Sequence, residues 1–249
     1  MISVQNVSKR FGSQVVLDRV SLEIKPGETT AVVGPSGVGK SVLLKLIMGI
    51  LSPESGEIFV DGRSITAAKC EAEKNEIRAG LGVLFQSAAL FDSLNVYDNV
   101  AFPLQERTHF DRIAIHSKVV AMLEALSLTE YAWSYPQEIS IGIRKRVGMA
   151  RSLITEPKFL LFDEPNTGLD PLVGQEVYDL IKTSRQQWGF TGVVISHEIP
   201  EVFQVSDRVV MLLNAQVAAE GTPEELLASE DPAVQQFLQG RIDGPIKIQ

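Results

Sequence analysis

The sequence predicts an α/β protein in which parallel strands and helices surround a phosphate-binding loop, with an antiparallel β part and a helix-rich stretch added. Three observations predict it. The runs TTAVVG (29–34), FLLFDEP (159–165) and TGVVISHE (191–198) are nearly continuous apolar segments. They suit central parallel strands with their chemistry at the C-terminal ends. GPSGVGKS (34–41) joins the first of these runs to the helical pattern KSVLLKLIMG. The opening runs ISVQNV and VVLDRVSLEI alternate, as half-buried antiparallel strands do.

The other elements come in order along the chain. GEIFVDGRSI (56–65) is a strand with a turn at Asp61-Gly62. From Glu71 to Leu128 the pattern is mostly helical, interrupted by a strand, LGVLFQ. Residues 71–155 thus form a helix-rich insertion in the α/β frame. EISIGIRKRVGMARSL (138–153) is a helix entered near Ser140, and RVVMLLNAQVAAEG (208–221) is a hairpin. TPEELLAS is a helix with Thr222 at the N-cap, Pro223 in the first turn and Glu225 completing a capping box. The stretch ALFDSLNVYDNV reads as an amphipathic helix capped near Ser93 or Asn95.

With 249 residues, 45% hydrophobic and 22% charged, the chain fits one globular domain, with or without a modest subdomain. A net charge of −8 repels nucleic acid, so no nucleic-acid partner is expected. The single Cys70 excludes an internal disulfide and offers no metal cluster, which fits a cytosolic setting. MISVQNVSKRFG lacks the apolar core of a signal peptide. VLLKLIMGIL is broken by Lys45 and too short to span a bilayer, so any membrane role is expected to come through a partner.

The spacing G-x-x-x-x-G-K-S points to a nucleotide site. Glycines at 34, 37 and 39 let successive N–H groups turn inward at a helix N-terminus. Lys40 reaches the outer phosphates and Ser41 offers a hydroxyl to Mg²⁺. Asp163 and Glu164 close an apolar strand, one to stand near Mg²⁺ and the other to orient or deprotonate water. Gln86, read as ending its strand, could reach Mg²⁺ or the attacking water. His197, as a neutral imidazole, could donate to a γ-phosphate. His109 and His116 read as solvated. Arg144, Lys145 and Arg146 crowd a helix start, where cations oppose the macrodipole; an anion expected at that end makes them less anomalous.

The order GPSGVGKS, Gln86, SIGIRKR, LLFDEP, GLDP, Ser196-His197 resembles the ATP-binding-cassette (ABC) ATPases over almost the whole chain. The resemblance implies the P-loop NTPase fold of that family in one domain over 1–240. It also implies a helical subdomain over about 88–155 and a tail over 241–249. By the same resemblance Phe11 stacks on adenine. Gly34, Pro35, Ser36, Gly37, Val38, Gly39, Lys40, Ser41 and Val42 form the Walker A loop and its entry into the helix. Gln86 marks the Q-loop, and Ser41, Gln86 and Asp163 hold Mg²⁺. Glu164 is the catalytic base, Asp170 belongs to the D-loop and His197 is the switch histidine. Ser140 and Gly142 of the signature complete the ATP site across a dimer with a second copy of the chain. Two departures stand out. Ile141 replaces the first signature glycine, and Asn166 stands where the family usually has Thr or another small residue.

FQSAALFDSLNVYDNVAFPL and the tail DPAVQQFLQGRIDGP resemble, more narrowly, the ATPase subunit of Mla-type (maintenance of lipid asymmetry) phospholipid transporters. That implies a peripheral protein at the cytoplasmic face of the inner membrane. Its partners would be an integral membrane permease, a periplasmic lipid-binding subunit and a small cytosolic regulatory subunit. Phe91, Leu94, Val96 and Tyr97 are too apolar for the segment 88–104 to be wholly exposed, and part of it would then form a groove for a permease helix. The competing readings are the ATPase of a small-solute importer and a soluble ABC ATPase of the iron–sulfur assembly type.

Overall fold

The computed structural model describes residues 1–246 and falls into two compact units, 1–79 with 191 onward, and 80–190. In the first unit the chain opens with β1 (Ile2–Phe11) and β2 (Gln14–Ile24), paired antiparallel from Ile2↔Ile24 to Phe11↔Gln14. On β2 the buried residues Val20, Leu22 and Ile24 alternate as predicted; Leu17 is buried too, but out of phase, across an irregularity where Arg19 takes φ +50°. β3 (Thr29–Val33), helix α1 (Lys40–Ile47), β4 (Ser55–Val60), β5 (Arg63–Ser64) and α2 (Glu71–Arg78) come next. β4 pairs with the other edge of β1, giving the antiparallel order β2-β1-β4-β5.

The unit resumes with β8 (Thr191–Ile195), β9 (Arg208–Leu213), β10 (Gln216–Gly221), α7 (Pro223–Leu227) and α8 (Pro232–Leu238). β3 lies between β8 and β9 and runs parallel to both. Every residue of β3 and β8 is buried, which is why their sequences do not alternate. β9 and β10 form the expected hairpin, and Asn214 and Ala215 both take positive φ, the geometry of a tight two-residue turn. Thr222 caps α7 and forms the capping box with Glu225. The expected tail begins by folding back on α8. There the buried Gln236 side chain accepts from Ile246 N at 2.7 Å and donates to its carbonyl at 3.0 Å. The last three residues of that tail, 247–249, lie outside the described residues.

The second unit holds β6 (Leu81–Leu84), α3 (Val96–Arg107), α4 (Arg112–Ala125), α5 (Ile141–Leu153), β7 (Phe159–Asp163) and α6 (Pro171–Trp188). β6 and β7 are parallel, in register from Leu81↔Phe159 to Leu84↔Phe162. α5 packs against β6, α3 and α6. Each of these helices starts at a polar cap: Asn95, Asp111, Ser140 and Asp170 each accept from a backbone N–H of the first turn.

One sequence expectation needs correction. β6 stops at Leu84, because a turn closed by Ala88 N to Phe85 O takes the chain out of the sheet, so Gln86 lies beyond the strand rather than at its end. Val96 is fully buried at the first turn of α3, in keeping with a segment too apolar to be wholly exposed. His116 is exposed, as expected, and its Nδ1 also lies 3.1 Å from the hydroxyl of Tyr97, which stacks on Trp133.

The segment between β6 and α3 is organised by one side chain. Asn99 is fully buried; it accepts from Phe91 N at 2.9 Å and donates to the carbonyls of Phe91, Leu94 and Asn95. Ala at this position strands several buried backbone groups. Asn99→Ala is expected to lower stability by about 2–4 kcal/mol, read as a shift in the urea unfolding midpoint. A shift below ~0.5 kcal/mol would mean that the loop holds its shape without Asn99.

Candidate functional site

The first unit presents the phosphate-loop residues. Past Val33 the buried strand β3 opens into the loop 34–41, where Gly34 has φ +145° and Gly39 φ +105°. L side chains rarely adopt such values. Space closes the same positions, since a Cβ on Gly34 would lie 2.3 Å from the Leu212 carbonyl oxygen and one on Gly39 2.9 Å from that of Val16. Gly39 is the N-cap of α1; no side chain caps the helix and its first turn holds no acid. That end of the helix dipole favours an anion. Lys40 is 4% exposed, and its ammonium donates to the carbonyls of Gly34 at 2.8 Å and Pro35 at 3.0 Å. The cation is thereby folded over the loop it adjoins. Ser41 and Val42 lie in the first turn, both half-buried, while Ser36 and Gly37 are exposed at the tip.

His197 leaves the same sheet edge. β8 neighbours β3 with Ile195 opposite Val32, and Ser196 N donates to Val32 O at 3.3 Å. The partly buried imidazole therefore comes just after the strand beside the one that feeds the loop. Phe11, the last residue of β1, is 48% exposed, with the Lys9 ammonium 5.4 Å from its ring centroid. A ring so presented can stack on a flat heterocycle.

In the second unit the parallel pair β6 and β7 places another group at one sheet edge. Asp163 is the last residue of β7 and Glu164 the next, both half-buried, while Gln86 is exposed two residues past the end of β6. Glu164 has φ +48°, a conformation uncommon for a side-chain-bearing residue and often found where strain serves function. Its Oε2 accepts from the Thr167 hydroxyl at 3.0 Å. Within this unit Gln86 and Asp163 carry oxygen donors, and so does Ser41 in the first unit, the ligand type that Mg²⁺ takes.

The segment after Glu164 is fixed by Asn166. This residue is 2% exposed and its Oδ1 accepts from the hydroxyl of buried Tyr178 on α6 at 3.1 Å. The departure at 166 thus ties the loop to the helix behind it. Asp170 is exposed; one of its oxygens caps α6 by accepting from Leu172 N and Val173 N at 3.1 and 3.2 Å.

At the start of α5 Ser140 is exposed and caps the helix through Ile143 N at 3.3 Å. Ile141 is 50% exposed, and a Cβ on Gly142 would only touch Val173 at 3.5 Å. The three cations next along the helix separate. Arg144 donates to Ile139 O, and Arg146 reaches toward Glu176 at 3.9 Å. Lys145 is 1% exposed and donates to the Gln86 carbonyl, and burial pulls its ammonium down to about 8. Sequence reasoning missed this burial. The helical period offered a signal, since Lys145 lies one turn before buried Met149 and two turns before buried Ser152.

The profile of the ABC transporter family matches residues 17–167. The intermembrane phospholipid transport system ATP-binding protein MlaF of Haemophilus influenzae is 42% identical over 248 residues, covering all of this chain and 94% of that protein. A probable ribonucleotide transport ATP-binding protein, mkl, of Mycobacterium leprae is 42% identical over 246 residues, covering 98% of this chain and 70% of the relative. Among solved structures, a dimeric ATP-binding cassette in a post-hydrolysis state, bound to ADP and Pi, superposes with a TM-score of 0.79 at 29% identity. It covers 90% of this chain and 99% of that one. A phosphate loop at the end of a buried parallel strand, two acids ending another, and identity sustained through the whole sequence lead to one assignment: the chain belongs to the ABC transporter family and has the fold of its ATP-hydrolysing cassettes.

Proposed function

We propose that the chain powers a phospholipid transporter, working as a pair of identical cassettes beneath an integral permease at the cytoplasmic face of an inner membrane. The observation that carries this reading is the 42% identity to the Haemophilus MlaF protein over the full chain and 94% of that relative. A small-solute cargo is the second reading, favoured by equal identity to the mycobacterial protein, of which this chain spans 70%. Among the described residues no helix is long and apolar enough to cross a membrane, so attachment is assigned to the permease. Exposed Phe91 and partly exposed Leu94 and Tyr97 are its proposed docking residues. A periplasmic lipid-binding subunit and a small cytosolic regulatory subunit complete the proposed assembly. Gentle detergent extraction should bring down the permease with bound phospholipid; a lipid-free complex that moves ribonucleotides into vesicles would reverse the choice of cargo.

Each side chain has a proposed task in hydrolysis. Phe11 stacks on adenine, the loop amides and Lys40 bind the β- and γ-phosphates, and Ser41, Asp163 and Gln86 would hold Mg²⁺. The bound ion supplies charge neutralisation at the phosphate oxygens. Glu164 takes the proton of the attacking water, with the Thr167 hydroxyl orienting its carboxylate. His197 donates to the γ-phosphate as charge shifts onto it. The exposed start of α5 brings Ser140 and Gly142 to the γ-phosphate of a second copy, so ATP joins the two chains and hydrolysis releases them.

Lys40 and Glu164 are expected to fail differently. Lys40→Ala removes a phosphate contact and should abolish nucleotide binding. Glu164→Gln keeps the shape and should cut turnover by ~10²–10⁴-fold while ATP accumulates a dimer, seen by size-exclusion chromatography with ATP and Mg²⁺. A Glu164→Gln protein that binds ATP, with or without the permease, and never pairs would rule out the two-copy scheme. Ile141, half-exposed beside Ser140, is proposed to hold the opposing phosphate loop slightly away. Ile141→Gly should then raise turnover at saturating ATP by about 2- to 10-fold, less than the full worth of a donor, with little change in nucleotide affinity. An unchanged rate would assign the side chain to solvent.

A further inference from the structure

The proposed hydrolytic mechanism leaves one buried charge without a task. Lys145 is 1% exposed, and among the described residues no carboxylate pairs with it; its ammonium meets the backbone carbonyl of Gln86. Burying a lone ammonium is costly, and an apolar side chain of similar length would fill the same space at lower cost. The contact is part of a wider attachment. Arg151, two turns along α5, donates from Nη1 to Ala89 O at 2.8 Å and from Nη2 to Ala88 O at 2.7 Å. The alanines it holds have φ +46° and +60°, a region alanine seldom occupies without external restraint. Between the two cations Gly148 permits close approach, since a Cβ there would lie 2.7 Å from Leu84 Cδ1 and 3.0 Å from the Ala88 Cβ. Lys145, Gly148 and Arg151 recur every three residues, so one side of α5 meets the loop that begins at Gln86.

We propose that Lys145 is a positioning residue for Gln86: by holding the Gln86 carbonyl, it ties the loop to the helix that begins at Ser140. The two then move as one body. The Gln86 side chain itself is exposed, so its backbone carbonyl is where the fold controls its place. Lys145 fixes the residue without touching substrate, and Arg151 shapes the next turn. The inference rests on the reading that Gln86 serves ATP hydrolysis. It assigns control of that residue to a cation on the signature helix.

The test is a double-mutant cycle on the full chain, with kcat and KM for ATP measured for the wild type, Lys145→Met, Gln86→Ala and the double variant. Lys145→Met keeps the apolar stem and removes the donor. It is expected to lower kcat ~10-fold or more, as displaced catalytic groups do, with KM changed less than about twofold. In the Gln86→Ala background the same substitution should cost less than about twofold, because there is no amide left to misplace. Lys145→Gln, which retains a donor at shorter reach, should keep more activity than Lys145→Met; it carries the same cycle should the methionine variant not fold. Equal losses from Lys145→Met in both backgrounds would reduce Lys145 to a packing residue and overturn the proposal alone. A Gln86→Ala protein that turns over at the wild-type rate would remove Gln86 from the reaction, and the proposal with it.

Discussion

A strand buried on both faces can carry polar chemistry only where it ends. In the first unit the fully buried β3 and β8 run parallel, with Val32 beside Ile195, so the phosphate loop and His197 emerge side by side. In the second, β6 and β7 run parallel with Leu84 beside Phe162, and Gln86, Asp163 and Glu164 emerge together. Parallel pairing is what does this, because it puts C-terminal ends at the same edge. An antiparallel neighbour would have brought one of the two groups to the opposite edge.

Beyond these strand ends the backbone departs from local preference. Gly34 and Gly39 occupy positive-φ backbone with no room for a Cβ, Glu164 takes φ +48°, and Ala88 and Ala89 take positive φ under the grip of Arg151. These conformations persist because neighbouring side chains over-determine them. Thr167 bonds the Glu164 carboxylate, Tyr178 anchors Asn166, and Asn99 closes the loop beyond Ala89. The strain therefore sits where the proposed chemistry is, and most of the restraints come from helices behind it.

The frame was legible because period and burial agree. Val20, Leu22 and Ile24 alternate along β2, β3 and β8 are buried throughout, and Thr222 with Glu225 announces α7. The phosphate loop was legible because its glycines answer a steric demand that few other residues meet. The connections between elements were not. Gln86 lies outside β6 because a turn after Phe85 overrides an apolar run, and nothing in the residue types marks that turn. Asn99 and Lys145 look like surface residues by type, yet both are buried for the sake of backbone carbonyls elsewhere in the chain. Only the helical period hints at this, by setting Lys145 in line with Met149 and Ser152.

Charge sets a further condition on how the substrate is held. A chain of net charge −8 is a poor host for a polyanion if charge is averaged over its surface. Binding must then rest on local fields: the uncapped start of α1 with Lys40 folded over its loop, and the exposed start of α5. Fields of this kind act over one helical turn, so they engage phosphate only in contact. Ser140 and Ile141 are exposed on their own chain. In the proposed pairing the start of α5 meets the phosphate held by a second copy. On that proposal nucleotide would serve as both ligand and adhesive, since two copies of net charge −8 repel and a γ-phosphate between them would hold the pair together.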